Sequence, residues 1–277
     1  NLVAFLSQTR PGDTIILSEA AHPFHYESGN LAMVGGLMTR TVADPLGKMT
    51  AEQVAEQIVQ TDDPHYSRTT LVALENTTNR GGGAYYQYHE IESIGRLCRD
   101  RGLRLHCDGA RLFNACAASN IEPEHTVSGC DTVSFCLSKG LGAPAGSLLA
   151  GDRGTIARAL RFRKMLGGGM RQSGVLAAAG LYALENHVRD LEEDHRRAQV
   201  FRRALEAEGV VFALPSPTNI LYIETSSPAE GIKELSARGV LAMAAGPDRI
   251  RAVFHRDIDD AGLNRAIEAF KEVLAPR

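Results

Sequence analysis

Cysteine is scarce in this sequence, and no two cysteines stand at the short spacing typical of a metal or redox site. The 277 residues contain five cysteines, and none belongs to a C-x-x-C pair. An odd count without paired spacing argues against a disulfide framework and against a zinc site. We therefore predict small buried hydrophobic side chains in a reducing compartment for Cys98, Cys107, Cys116, Cys130 and Cys136.

Long apolar runs and a strong charge imbalance are also absent. No run approaches the roughly 20 apolar residues that span a bilayer, and no signal-peptide pattern opens the chain. The formal net charge is −3 with both signs mixed, which excludes a basic surface for nucleic acid or anionic membrane. Hydrophobic residues make up 44%, enough for a sizeable core. These features predict a cytoplasmic protein without a membrane or nucleic-acid partner.

Short β-rich runs alternate with helical patterns through the first part of the chain. One helical pattern, MTAEQVAEQIVQ (49–60), starts with Thr50 as its N-cap. Alternating strands and helices with apolar strands predict an α/β fold, in which helices cover both faces of a mostly parallel sheet. The predicted strands lie at residues 14–18, 37–42, 69–76, 103–110, 131–139 and 146–151.

The pattern changes after Gly174. A helical stretch runs from about Val175 to Glu208, and the last helix from about Asp260 to Leu274. Between them lie four strand candidates, VVFAL, NILYIET, VLAMAA and IRAVFH. We therefore expect a large domain at residues 1–174 and a smaller α+β domain at residues 175–277.

Polar and ionisable residues follow several predicted strands. Each of them alone is explained equally well as a turn, core or surface residue. In open α/β sheets, however, ligands bind outside the carboxyl ends of the strands, so residues that converge there predict a site. The candidates are Glu75 to Asn79, Asp108 with Arg111, Ser138 with Lys139, and His22 with His25.

The stretch SFCLSKGLGAP (134–144) contains a single lysine, Lys139. We expect a lysine at the end of a buried strand to be partly desolvated, which favours an amine that attacks carbonyl groups. Such an amine is suited to forming a Schiff base. An enzyme that uses pyridoxal phosphate (PLP) also needs an acid at the pyridine nitrogen, and Asp108 is a candidate for that position.

Three motifs together resemble the threonine aldolases, which are beta-eliminating lyases among the fold-type-I PLP enzymes. They are HCDGARLFNA (106–115), SFCLSKGLGAP (134–144) and RKMLGGGMRQSG (163–174). AAHPFHYESGN (20–30) and LENTTNRGGG (74–83) fit the same family. The resemblance covers almost the whole chain. It implies the fold-type-I architecture, PLP as cofactor, cleavage of a β-hydroxy-α-amino acid into glycine and an aldehyde, and a homodimer or homotetramer.

The resemblance implies catalytic roles for three of these residues. Lys139 would carry the cofactor as a Schiff base. Asp108 would keep the pyridine nitrogen protonated, so that the ring can accept electrons. His22 would stack on the ring, whereas His25 would have a structural role.

The resemblance also implies a set of binding residues. Arg111 would help to bind the substrate carboxylate. Arg251 matches the family's C-terminal arginine that binds the same group, although Arg249 is a close competitor. Ser138 and Arg171 would lie near the cofactor, and Arg171 would contact either the phosphate or a neighbouring subunit.

Two departures from the family pattern bear on these expectations. Family members read LENTHN, with a histidine near the substrate hydroxyl, and because this chain has Thr78 at that position, the resemblance implies that Thr78 contacts the substrate. A threonine is not a suitable base, so a water or His22 would replace it, and we expect Thr78→His to be tolerated. The family's Ser-Gly-Thr phosphate loop would precede Asn1. We therefore expect that an N-terminal segment is missing and that the chain binds PLP weakly.

Other functions stay open at this point. The same cofactor supports β-elimination or transamination, which release ammonia or a keto acid instead of glycine. The chain could also be an inactive fragment. A metal enzyme built on His22 and His25 is less favoured, because no carboxylate stands at ligand spacing beside them in the sequence.

Overall fold

The computed structural model describes residues 1–275, and their largest element is a six-stranded sheet in the order β2-β1-β3-β4-β5-β6. The first five strands pair in parallel, and β6 runs antiparallel to β5. The predicted mostly parallel sheet is therefore confirmed. Its strands are β1 (Thr14–Ser18), β2 (Met38–Val42), β3 (Thr69–Glu75), β4 (Arg104–Gly109), β5 (Thr132–Cys136) and β6 (Ser147–Gly151).

Helices follow most of these strands. The predicted Thr50 cap is present, since its side chain accepts a hydrogen bond from Gln53 N–H. The helices of this part are α1 (Leu2–Gln8), α2 (His22–His25), α3 (Asn30–Met33), α4 (Ala51–Gln57), α5 (Tyr88–Asp100), α6 (Leu112–Ser119), α7 (Pro123–Thr126), α8 (Arg153–Met165) and α9 (Gly174–Asn186).

The central strands are buried on both faces. Ile15 and Leu71 belong to one core cluster, whereas Ile16, Val72 and Leu105 belong to another. Because successive side chains of a strand point to opposite faces, these clusters lie on opposite sides of the sheet. The strands are therefore rigidly held, and their carboxyl ends have fixed positions.

A second sheet has the order β7-β9-β8 and is antiparallel. Its core joins helix and strand side chains such as Phe201, Leu235 and Phe270. The elements of this part are α10 (Asp190–Glu206), β7 (Ile220–Glu224), α11 (Pro228–Ala237), β8 (Met243–Ala244), β9 (Arg249–Val253) and α12 (Asp260–Leu274).

The structure differs from the sequence expectations in this second part. The long helical stretch is two helices, α9 and α10, separated by a turn at residues 187–189. VVFAL forms only a single bridge, between Phe212 and Ile223, and VLAMAA gives a two-residue strand. Each run carries an exposed apolar side chain, Val211 in the first and Leu241 in the second, although Val210 and Leu214 of the first run are buried in core clusters.

The division into two domains remains a proposal, and packing bears on where the boundary lies. Ala183 of α9 and Leu191 at the start of α10 share a core cluster with Leu137 and Leu141, which follow β5. α9 therefore packs on the first part of the chain. This packing favours a boundary after α9 rather than at residue 174.

Two composition-based expectations have structural outcomes. Three cysteines are buried, but Cys130 and Cys136 are partly exposed, so the prediction of full burial is wrong for these two. Among residues 1–275, no helix has both the length and the apolar character to cross a membrane.

Asp194 of α10 leads to a stability prediction. It is 1% exposed, and neither carboxylate oxygen has a hydrogen-bond partner among residues 1–275. Burial raises its pKa to about 6. Because the folded state binds this proton more tightly than the unfolded state does, the ionised carboxylate destabilises the fold at high pH. Protonation relieves this destabilisation as the pH falls through the raised pKa. Asp194→Asn is therefore expected to raise the free energy of unfolding at pH 8 by on the order of 2 kcal/mol.

Urea unfolding at pH 8 and pH 4 tests the Asp194 prediction. The gain should vanish near pH 4, where wild-type Asp194 is protonated in the folded state. Glu192→Gln is the matched control, because Glu192 is an exposed acid on the same helix. A loss of stability in Asp194→Asn at pH 8 would contradict the prediction.

Candidate active site

The carboxyl ends of β3, β4 and β5 open onto a cavity of about 330 Å³. Parallel strands place their carboxyl ends at one edge of the sheet, so residues far apart in sequence meet there. Residues of α2, β6 and β9, the first residue of the chain and the loop after α2 also line it. The cavity is lined by Asn1, His22, Glu27, Glu75, Asn79, Asp108, Ala110, Arg111, Ser134, Cys136, Lys139, Ser147 and Arg251.

Asp108 lies near the end of β4 and is 3% exposed. Its Oδ2 accepts a hydrogen bond from Asn1 Nδ2 at 2.6 Å, and its Oδ1 accepts one from Ala110 N–H at 3.1 Å. Among residues 1–275, the hydrogen bonds to this carboxylate thus come from uncharged groups. The buried negative charge of Asp108 can therefore be matched by a cationic ligand.

Glu27 brings a second carboxylate beside His22. Its Oε1 accepts a hydrogen bond from Asn1 Nδ2 at 2.8 Å and lies 3.3 Å from His22 Nδ1. Burial alone would raise the pKa of Glu27, but hydrogen bonds from Asn1 and Asn30 hold it below its ordinary value. A ring nitrogen of His22 and one carboxylate oxygen each of Glu27 and Asp108 lie within 4.8 Å of one another. Although no carboxylate stands at ligand spacing beside His22 in the sequence, the fold brings two carboxylates to it, and His25 is not part of this group.

Lys139 lines the cavity from the loop that follows β5. The expected partial desolvation is wrong, because Lys139 is exposed, as is Ser138 beside it. β5 ends at Cys136, so the lysine stands three residues beyond the strand rather than within it. Its accessible amine can be reached by a ligand that enters the cavity.

Arg111 and Arg251 place two guanidinium groups in the cavity. Burial and, after it, the positive charge of Arg251 lower the pKa of Arg111 to about 10. Arg251 Nη2 donates to Asn79 Oδ1 at 2.8 Å. Arg249, the competitor of Arg251, forms an ion pair with Asp248 at 3.7 Å instead of lining the cavity. Two cations that repel each other here favour an anionic ligand.

Four sequence-predicted residues lie outside this cavity. Ser138 lines a neighbouring cleft together with Lys139. Arg171 is exposed in the loop between α8 and α9. His25 is exposed, and its Nε2 lies 2.6 Å from the Glu19 carbonyl oxygen. The structure therefore does not bring Ser138, Arg171 or Thr78 to the cavity with the other site residues.

Thr78 is buried and does not line the cavity. It is 2% exposed, and its hydroxyl donates to the Leu46 carbonyl oxygen at 2.7 Å. Gly81 approaches so closely that a Cβ at that position would lie 2.3 Å from Thr78 Oγ1. The space around the side chain is filled, so the expected substrate contact and the expected tolerance of histidine are not supported.

Thr78→His is accordingly expected to lower the free energy of unfolding by about 1–3 kcal/mol, because a ring is forced into a filled space. Urea denaturation measures the change. Thr78→Ser is the control, since it keeps the hydroxyl and adds no volume. Stability of the histidine variant equal to that of wild type would show that the pocket around Thr78 can expand.

Sequence reasoning missed several residues of the cavity. Glu27 and Asn1 were not candidates, and Glu75 and Asn79 were named only as residues at a strand end. Glu27 lies five positions after His22 in the same AAHPFHYESGN motif, which was the available signal. Asn1 gave no signal, because its contacts join residues that are far apart in sequence.

Comparison with known proteins places the chain in a family. The family model described as beta-eliminating lyase matches residues 1–227. The low specificity L-threonine aldolase of Escherichia coli (strain K12) is 40% identical over 279 residues, which cover 99% of this chain and 81% of that protein. A probable low-specificity L-threonine aldolase 2 of Arabidopsis thaliana is 37% identical over 272 residues, which cover 95% and 77%.

A solved structure agrees with these relatives. The Leishmania major threonine aldolase structure has a TM-score of 0.84 at 22% identity, and the match covers 98% of this chain and 80% of that chain. At this identity the likeness shows the fold, and it confirms the fold class predicted from the motifs. The family match and the relatives above 30% identity show that this chain belongs to the beta-eliminating lyase family.

Proposed function

We propose that this chain is a PLP-dependent lyase that cleaves β-hydroxy-α-amino acids, such as threonine, into glycine and an aldehyde. The observation that carries the proposal is one cavity lined by an amine, a buried carboxylate, an imidazole and two guanidinium groups, those of Lys139, Asp108, His22, Arg111 and Arg251. The 40% identity to an enzyme named low specificity L-threonine aldolase supports this reaction.

The chemistry of the cavity fits the ring end of PLP. Asp108 offers a buried carboxylate hydrogen-bonded to uncharged groups, which suits a protonated ring nitrogen. Lys139 offers an accessible amine on the same cavity. When bound, PLP supplies a carbonyl group that reacts with amines and a ring that accepts electrons from the substrate.

Each side chain then has a distinct task. Lys139 would hold the cofactor through its Nζ, and Asp108 would favour a proton on the ring nitrogen. His22 would pack against the cofactor. Arg111 and Arg251 bind the substrate carboxylate. Both guanidinium groups line the cavity and offer N–H donors suited to a carboxylate.

Removal of the proton from the substrate hydroxyl needs a base. The Thr78 hydroxyl is engaged with Leu46 and cannot serve. His22 is placed better, because it lines the cavity and its Nδ1 lies 3.3 Å from Glu27 Oε1. With Nδ1–H donated to Glu27, Nε2 is left to accept the proton. We assign this role to His22.

Ser138, Arg171 and the oligomeric state remain predictions from the family resemblance. Ser138 adjoins Lys139, and Arg171 is exposed on a loop outside the cavity. Arg171 would reach a cofactor only in a second copy of the chain. A homodimer or homotetramer in sedimentation equilibrium would agree with that role, whereas a monomer would exclude it.

Product analysis tests the proposed reaction. With saturating PLP, the protein is incubated with L-threonine, L-allo-threonine and phenylserine, and the products are quantified. We expect glycine and the corresponding aldehyde in equal amounts. Release of ammonia and a keto acid would instead indicate elimination or transamination. If the absorbance spectrum of PLP does not shift when the protein is added, the result would favour an inactive chain.

A further inference from the structure

Glu75 is a buried acid of the cavity that has no task in the proposed reaction. It is the last residue of β3 and is 5% exposed. Its Oε2 accepts a hydrogen bond from His22 N–H at 2.8 Å, and its Oε1 accepts one from Asn79 N–H at 2.9 Å. A single carboxylate therefore fixes the backbone at two other residues of the cavity.

The contact with Asn79 extends to the arginine of β9. Asn79 Oδ1 accepts a hydrogen bond from Arg251 Nη2 at 2.8 Å, and the Asn79 carbonyl oxygen accepts one from Tyr222 O–H at 3.2 Å. Tyr222 and Arg251 are register partners in the second sheet. Glu75 thus connects the end of β3 to the guanidinium group of Arg251 through one intermediate residue.

The position of Glu75 also places its charge beside another carboxylate. Glu75 and Asp108 are register partners on neighbouring parallel strands. Burial and, after it, the charge of Asp108 raise the pKa of Glu75 to about 7, although the hydrogen bonds from Asn79 and His22 and the charge of Lys139 act to lower it. The other titratable and charged groups that line the cavity are those of His22, Glu27, Asp108, Arg111, Cys136, Lys139 and Arg251.

We propose that Glu75 is a positioning residue: ionised, it holds His22 and, through Asn79, Arg251 in their binding arrangement, and its protonation weakens the binding of amino-acid carboxylates. The inference rests on the proposed function, in which Arg251 binds the substrate carboxylate. An ionised carboxylate accepts from both N–H groups. A protonated one turns one oxygen into a donor, which opposes one of these N–H groups.

The expected pH dependence follows from this difference. Glu75 is ionised above about pH 7 and protonated below it, so wild-type affinity for an amino acid should fall as the pH is lowered from 8.5 to 6. Glu75→Gln resembles the protonated form at every pH. We expect it to bind glycine about tenfold more weakly than wild type at pH 8, with the drop between pH 8.5 and 6 much reduced.

Glycine binding to the PLP-loaded protein is the first measurement. Dissociation constants are obtained by calorimetry from pH 6 to pH 8.5 for wild type, Glu75→Gln and a control, Glu92→Gln. Glu92 is an acid of α5 that pairs with Arg99 outside the cavity, so its variant should follow wild type. The ionisation of glycine itself is common to all three proteins. Equal pH profiles for wild type and Glu75→Gln would overturn the proposal.

Direct titration of Glu75 provides a readout that needs no cofactor. In protein labelled with ¹³C at the glutamate carboxyl carbon, the Glu75 signal is identified by its loss in Glu75→Gln. We expect its midpoint near pH 7, and a midpoint near the ordinary 4.5 would contradict the proposal. Should the glutamine variant fail to fold, Glu75→Asp identifies the signal and is expected to bind glycine more weakly while keeping the pH transition. Product analysis tests the proposed reaction separately, because the products that form depend on the chemistry and not on the role of Glu75.

Discussion

Lys139→Ala is expected to abolish covalent attachment of PLP and to reduce turnover by on the order of a thousandfold or more, the scale of losing a covalent catalytic group. The physical reason is that Lys139 is the lysine that lines the cavity, and alanine provides no amine. Because the side chain is exposed, its removal should change the free energy of unfolding by less than about 0.5 kcal/mol. The effect is therefore expected on chemistry and not on folding.

Peptide mapping identifies the attachment site directly. The PLP-loaded protein is reduced with borohydride and digested, and the mass label is expected on the peptide that contains Lys139. Lys164→Ala is the matched control, since Lys164 is an exposed lysine in the last turn of α8. A label on Lys164 or Lys48 in the wild-type protein would remove Lys139 from the mechanism.

The fold and the convergence of the site could be predicted because both follow from local patterns. Apolar runs set β3, β4 and β5, and parallel strands must bring their carboxyl ends to one edge. Glu75 and Asp108 therefore become neighbours, as register partners, although 33 positions separate them in the sequence. The prediction needed strand identity and direction but no knowledge of side-chain packing.

The remaining features of the site depend on packing between distant segments. Asn1 donates to both Glu27 and Asp108, and residues 26 and 107 positions apart leave no periodic signal in the sequence. Thr78 follows the same strand as Glu75, but the approach of Gly81 decides that its side chain is buried. A strand pattern gives the position of a residue, whereas the loop backbone decides where its side chain lies.

The choice between Arg249 and Arg251 shows the same limit. Both arginines belong to β9 and are two residues apart, so the strand pattern places them on the same face. Only the position of β9 against the end of β3 separates them, since Arg251 meets Asn79 while Arg249 pairs with Asp248. A contact between two sheets cannot be read from the pattern of one strand.

Asp108→Asn is expected to leave PLP bound but to lower turnover by about a thousandfold, which corresponds to about 4 kcal/mol of transition-state stabilisation. The amide has nearly the shape of the carboxylate but no charge, so it does not favour the protonated ring nitrogen. The measurements are the PLP dissociation constant and the turnover number on threonine. Asp131→Asn is the control, because Asp131 pairs with Arg104 and does not line the cavity. Turnover near the wild-type level in Asp108→Asn would exclude Asp108 from the mechanism.

The same variant should also alter the titration of Glu75, the register partner of Asp108. The charge of Asp108 is one cause of the raised pKa of Glu75, and the other is burial. Asp108→Asn removes the first cause and keeps the second, so the pKa of Glu75 should fall below about 7 without reaching its ordinary value. In the ¹³C titration, the Glu75 midpoint would then move to lower pH. A midpoint unchanged by Asp108→Asn would show that the charge of Asp108 does not affect the pKa of Glu75, and that burial alone raises it.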